Sequence, residues 1–278
     1  MSKNKVYGSQ YGYGYGYGYG NYGQDKSNAT LFAAKEAYRT IRTNLMFSVA
    51  KPGGKAIVFS SSTQGEGKTT SAANIAFSIA KSNKKVLLVD LDLRSPQIHR
   101  LVKCSNTPGL TNYLSGFNTL DEIMHKEVFP NLDVICAGTI SPNPAEMVAS
   151  EGVSNLITDM KQKYDYIILD TPPVNIVSDA LPLVQHADGM VLIVRPKYTI
   201  RKELQKCISQ VEMIGGKVLG VIVNGTQEQK RGYGRYSRYS RYGRYGRYGR
   251  YGRYGHYNHY QEAADKVKEQ SSEEPKAE

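Results

Sequence analysis

The middle of the chain alternates short unbroken apolar runs with longer stretches of helical periodicity. The runs are AIVFSS (56–61), VLLVDL (86–91), LDVICA (132–137), YIILDT (166–171), GMVLIVR (189–195) and KVLGVIVN (217–224). Runs of this length predict strands buried on both faces. Helical patterns fall between them at 69–81, 146–162, about 178–185 and 200–213, and a further one, 31–50, precedes the first strand. Strand and helix in alternation predict an α/β fold, a mostly parallel sheet with helices on both faces. In such folds the ligand lies beyond the carboxyl ends of the strands, so chemistry is sought just after each run.

The ends of the chain read differently. Seventeen of the 22 tyrosines and 14 of the 27 glycines lie in 1–28 and 231–278. The first tail holds Tyr7, the run YGYGYGYGYG at 11–20, and Tyr22. The second holds Tyr233, Tyr236, Tyr239, Tyr242, Tyr245, Tyr248, Tyr251, Tyr254, Tyr257 and Tyr260, at a strict spacing of three. With almost no aliphatic residues, these segments cannot bury enough surface to offset the entropy of ordering, and both are predicted to be disordered. The remainder, about 29–230, is expected to be one domain. Charge follows the same boundaries. The whole chain is +11, but residues 231–260 carry eight Arg and no acid, and the core is left with an ordinary +4.

Several classes are excluded early. No stretch reaches 18 consecutive apolar residues, so no transmembrane helix is expected. The opening MSKNKVYGSQ runs into Tyr and Gly and reads as no secretory signal. Cys104, Cys136 and Cys207 are far apart with no CxxC pair. They predict no disulfide framework and no zinc-ligand spacing, and they suit a reducing cytosol. The five histidines form no HExxH.

The chemistry begins after the first run. Ser62-Thr63-Gln64-Gly65-Glu66-Gly67-Lys68-Thr69-Thr70 ends in Gly-Lys-Thr and opens a helix. Small residues there let backbone N–H groups surround phosphate oxygens, and the helix N-terminus adds partial positive charge. Lys68 would reach the β- and γ-phosphates and the Thr69 hydroxyl would bind Mg²⁺. Ser62 stands where the first glycine of G-x-x-x-x-G-K-[ST] is usual. Asp90 and Asp92 follow the second run on one side of an extended chain, and Asp170 ends the fourth. Each alone is equally well explained as a turn or cap aspartate. Three converging on the Lys68 loop point to a shared nucleotide and Mg²⁺ site, because an unpaired buried carboxylate is costly.

Together these motifs resemble a bacterial tyrosine kinase of the type that controls capsule and exopolysaccharide assembly, in its separate cytoplasmic form. Residues 62–69 match that family's first Walker motif, 87–94 its A-prime motif, and 167–173 its Walker B motif. Glu36, Arg39 and Arg42 match its E-x-x-R-x-x-R motif, and the Tyr-rich C-terminal tail completes the pattern. The resemblance covers about 30–260 and implies a P-loop NTPase-like fold acting on ATP and Mg²⁺. Gly65, Glu66, Gly67, Lys68, Thr69 and Thr70 would form the nucleotide loop. Asp90 would accept the proton of the attacking tyrosine, while Thr69, Asp92 and Asp170 organise Mg²⁺ and its waters. Arg94 would serve positioning, and Asn224 is a candidate for contacting adenine or for a structural cap. Glu36, Arg39 and Arg42, otherwise a solvated helix face, would build a ring of subunits. The ten tail tyrosines would be the phosphoacceptors. The resemblance further implies a separate transmembrane adaptor that activates the kinase at the inner face of the plasma membrane, a cognate tyrosine phosphatase, and other protein substrates.

Two rivals are weighed. Partitioning and division-site ATPases carry Lys-Gly-Gly-x-Gly-Lys-[ST], whose first lysine reaches a partner subunit. Here Thr63 replaces that lysine. An RNA-binding scaffold could use the Arg-Tyr tail, since arginine with stacking aromatics suits single strands. The Walker set disfavours nucleic acid as the principal partner.

Overall fold

The computed structural model describes residues 24–226. Residues 1–23 and 227–278, including all ten acceptor tyrosines, lie outside the described residues, whereas residues 24–28, predicted to be disordered, are helical. Helix α1 (Gln24–Ser48) leads into β1 (Lys55–Ser61), α2 (Lys68–Ala80) and β2 (Val86–Asp90). Three short helices follow, α3 (Ile98–Val102), α4 (Leu110–Leu114) and α5 (Leu120–Ile123), then β3 (Met124–Phe129) and β4 (Leu132–Ile135). The order continues α6 (Pro144–Val148), α7 (Glu151–Met160), β5 (Tyr166–Asp170), α8 (Ala180–Val184), β6 (Gly189–Val194), α9 (Arg201–Met213) and β7 (Val218–Val223).

The strands form one sheet in the order β3-β4-β2-β5-β1-β6-β7. Every pairing is parallel except that of β3 with β4. Alternate residues of each central strand enter opposite cores, as the pleat requires. Ile57, Phe59, Leu88 and Ile168 pack against Leu45 of α1, Ile75 and Ile79 of α2, and Ile98 of α3. Val58, Leu87, Val89 and Leu169 pack the other way, against Leu156 and Ile157 of α7, Leu183 of α8 and Val211 of α9. The predicted α/β architecture is thus present, with β1 at the point where the strand order turns. The carboxyl ends of β1, β2 and β5 open on one side, which is where such sheets bind ligand.

The short helices α3, α4 and α5 match no predicted element, and three further differences have a local cause. β3 was not anticipated, because MHKEVF is an edge strand and lacks a continuous apolar run. Its pairing is interrupted by a bulge at Glu127, which takes a positive φ of 52°. The single helix expected at 146–162 is two helices, because Ser150 is extended (ψ 154°) and its hydroxyl donates back to the Met147 carbonyl. α1 starts at Gln24 rather than near 31, in residues without an apolar stripe to mark them. Among the described residues no helix is long and apolar enough to cross a membrane.

Candidate active site

The loop between β1 and α2 has the backbone its glycines anticipate. Gly65 and Gly67 adopt φ of +82° and +89°, the left-handed region that side chains disfavour. Gly67 caps α2 without any side-chain hydrogen bond. The first amides of this 13-residue helix are therefore left to an anion.

The loop is rooted by Glu66, whose side chain is fully buried. Its carboxylate accepts the Ser62 hydroxyl (3.1 and 3.2 Å), the Thr63 amide (2.9 Å) and the Thr199 hydroxyl. Ser62 in the usual glycine position is thereby explained: its hydroxyl satisfies a buried carboxylate. Glu66 was expected among the nucleotide-binding residues, but its side chain is committed to the loop and only its backbone can face phosphate. Asn224 likewise braces the loop, its amide donating to the Glu66 carbonyl at 2.9 Å. A Cβ at Gly67 would lie 2.0 Å from that amide nitrogen. The structural-cap role weighed for Asn224 is the one its geometry favours. Tyr198 adds a bond from its hydroxyl to the Gln64 carbonyl, 2.9 Å. Tyr198 and Thr199 were not foreseen, although both follow β6 at the carboxyl edge where ligands gather.

The carboxylates converge beside this loop. Lys68 donates to Asp92 at 2.6 Å and to the Thr69 hydroxyl at 3.3 Å. Burial would lower the Lys68 pKa, but Asp170, Asp92 and Asp90 together hold it above its ordinary value. Asp90 has no exposure, and it accepts amides from Asp92 (3.2 Å), Gln97 (3.1 Å) and Ile98 (3.0 Å). Those bonds use three of its roughly four lone-pair positions. Burial, then the neighbouring Asp170, pushes its carboxyl up to about 8. Asp92 also accepts the Ser95 amide at 3.1 Å.

Asp170 is the exception among these acids. It is fully buried and neither oxygen has a well-formed hydrogen bond. The Thr69 hydroxyl and the Lys68 ammonium lie close enough to restrain its pKa, yet burial pushes it up to about 6. An orphaned carboxylate beside a hydroxyl and a second acid is a donor set for a hard divalent cation.

Other predicted residues fall into place around this centre. Thr70 lies in the first turn of α2, half-buried. Arg94 makes a two-pronged contact with buried Asp179 (2.9 and 3.3 Å), tying the segment after β2 to the start of α8. Asp179 has no motif to announce it. On α1 the Glu36–Arg39–Arg42 set divides. Glu36 and Arg39 pair with each other at 2.6 Å on the exposed surface, whereas Arg42 donates to the Ser78 carbonyl near the end of α2.

Residues 54–219 match the model of the AAA domain. The tyrosine-protein kinase YwqD of Bacillus subtilis is 39% identical over 202 residues, covering 72% of this chain and 85% of that protein. The chain belongs to the bacterial tyrosine kinases. The kinase domain of Escherichia coli tyrosine kinase ETK agrees, with 32% identity and a TM-score of 0.68 over 72% of this chain and 78% of that one. The septum site-determining protein MinD from Pyrococcus horikoshii, complexed with Mg-ADP, has a TM-score of 0.55 at 23% identity, over 63% of this chain and 72% of that one. That likeness is one of fold alone. This bacterial tyrosine kinase therefore carries, within its AAA domain, a P-loop site built for a nucleotide.

Proposed function

We propose that this kinase transfers the γ-phosphoryl group of ATP, with Mg²⁺, to tyrosines of its own C-terminal cluster on a neighbouring subunit, and thereby regulates capsular or exopolysaccharide synthesis and export. The observation that carries the proposal is Asp170, fully buried and without a hydrogen-bond partner beside Lys68 and Thr69. The amides of Gly65, Glu66, Gly67, Lys68, Thr69 and Thr70 would receive the phosphates, with Lys68 leaving Asp92 to meet their charge. Thr69, Asp92 and Asp170 would hold Mg²⁺ and its waters, and the ion would neutralise charge building on the phosphate oxygens. Asp90 would take the proton as the tyrosine oxygen bonds to phosphorus and ADP departs. Its raised pKa suits it to a hydroxyl whose own pKa is near 10.

The acceptors are Tyr233, Tyr236, Tyr239, Tyr242, Tyr245, Tyr248, Tyr251, Tyr254, Tyr257 and Tyr260. An extended chain covers about 3.3 Å per residue, so the tail has the length to reach another subunit. Each phosphate adds about −1.5 to −2 of charge, enough over the cluster to reverse the +8 of residues 231–260. Tails so modified would repel within a ring assembled through Glu36 and Arg39, and a cognate phosphatase would reset them. A separate transmembrane adaptor would recruit the kinase to the inner face of the membrane.

Intact-mass spectrometry after incubation with ATP and Mg²⁺ tests this, with the adaptor's cytoplasmic segment supplied if the chain alone is silent. A ladder of phosphates on residues 233–260, absent in Lys68→Met, is the expected result. ADP release with no mass gain would overturn it.

A further inference from the structure

The fold brings together residues that the sequence keeps apart. Cys104 and Cys136 are 32 positions apart, yet their sulfurs stand 3.1 Å from each other. His125 joins them, and one ligand atom from each of the three lies within 4.8 Å of the others. The sequence has no zinc-ligand spacing, yet the fold assembles a set of donors that could hold an ion. Linear spacing could not show it, because the ligands come from the segment after α3, from β3 and from the end of β4.

We propose that Cys104, His125 and Cys136 form a binding site for Zn²⁺. Two thiolates and an imidazole are the donors that this ion favours. The histidine decides between an ion and a simple disulfide. Its Nε2 is buried with no hydrogen-bond partner. Joining the sulfurs would leave that nitrogen without a partner, whereas an ion ligated through it would satisfy it. With metal–sulfur bonds near 2.3 Å, tetrahedral geometry sets the two sulfurs about 3.8 Å apart, so a shift of under about 1 Å accommodates the ion. Binding releases two thiol protons to solvent, and water completes the fourth position on the half-exposed side of Cys104.

The site would clamp the edge of the sheet to the catalytic centre. Cys104 closes α3 through its amide bond to the His99 carbonyl, 3.0 Å. At the other end of that helix, the Gln97 and Ile98 amides hold Asp90. An ion would thus fix β3, β4 and α3 in one unit, and Asp90 is bonded to the last of these.

The test uses the reduced full chain with Co²⁺ as a spectroscopic probe. One equivalent should give a thiolate-to-cobalt charge-transfer band and tetrahedral visible absorption, both erased by Zn²⁺. Mg²⁺-binding carboxylates and tail histidines cannot produce that band. It should vanish in Cys104→Ser and Cys136→Ser and persist in Cys207→Ser, whose thiol is buried under α9 in the opposite core. His125→Gln should weaken binding by more than the roughly 10- to 100-fold that loss of an outer-shell partner costs. In the unmutated chain, Zn²⁺ should protect Cys104 and Cys136 from alkylation, read by peptide mass. Absence of the band and of protection in the folded, unmutated chain would overturn the proposal. So would a band that survives Cys136→Ser.

Discussion

Glu66 and Asp170 are both fully buried carboxylates at the same end of the same sheet, and they are opposites. Glu66 accepts hydrogen bonds from Ser62, Thr63 and Thr199 and is architecture: it fixes the shape of the phosphate loop. Asp170 accepts none of good geometry, and its pKa rises to about 6 because burial is only partly offset by Lys68. A buried acid with its bonds made holds a structure together. A buried acid without them stores a cost that folding alone does not justify. The pair marks the two extremes of this site, and Asp90 stands between them, with three amides bound and one lone-pair position left for chemistry.

Substitutions can break that contrast. Asp170→Asn should give the largest effect, a loss of phosphotransfer of at least about 100-fold, measured as initial rate of tail phosphorylation. Next comes pH. A base held up to about 8 is fully ionised only above that value. The rate should therefore climb up to about tenfold per unit below pH 8 and level off above it. A flat profile would remove Asp90 from the base role. Glu66→Gln should cost about 1–3 kcal/mol of stability, seen in denaturant unfolding, because amide nitrogen replaces one acceptor facing Ser62 and Thr199. Activity should fall with it, through the loop. Tyr198→Phe loses one exposed bond to Gln64 and should cost no more than about 1 kcal/mol.

The same contrast explains what the sequence reveals. The central strands are legible because both faces are buried and their residues are almost all apolar up to the terminal aspartate, as in VLLVD and YIILD. β3 is not, since an edge strand with a bulge keeps His125, Lys126 and Glu127 among its apolar residues. Lys68, Thr69 and the three aspartates are legible because phosphate and metal chemistry demands those types directly after strands. The work of Glu66 is hidden, because Thr199 is 133 positions away and meets it only through the parallel pairing of β1 with β6. Asp179 and the Cys104–His125–Cys136 cluster are hidden for the same reason, being close only once the chain is folded.

The most direct measurement is the thermal midpoint of Asp170→Asn against the unmutated chain, without nucleotide, near pH 7.5. Asp170 has a raised folded pKa, so its contribution to stability is present below the unfolded value of 3.8 and lost as pH passes about 6. At pH 7.5 the charge is a burden, and the neutral amide should leave the midpoint unchanged or raise it by a few degrees. A fall of the size expected for Glu66→Gln would mean that Asp170 is as fully engaged in the fold as Glu66, and the distinction drawn between them would be wrong.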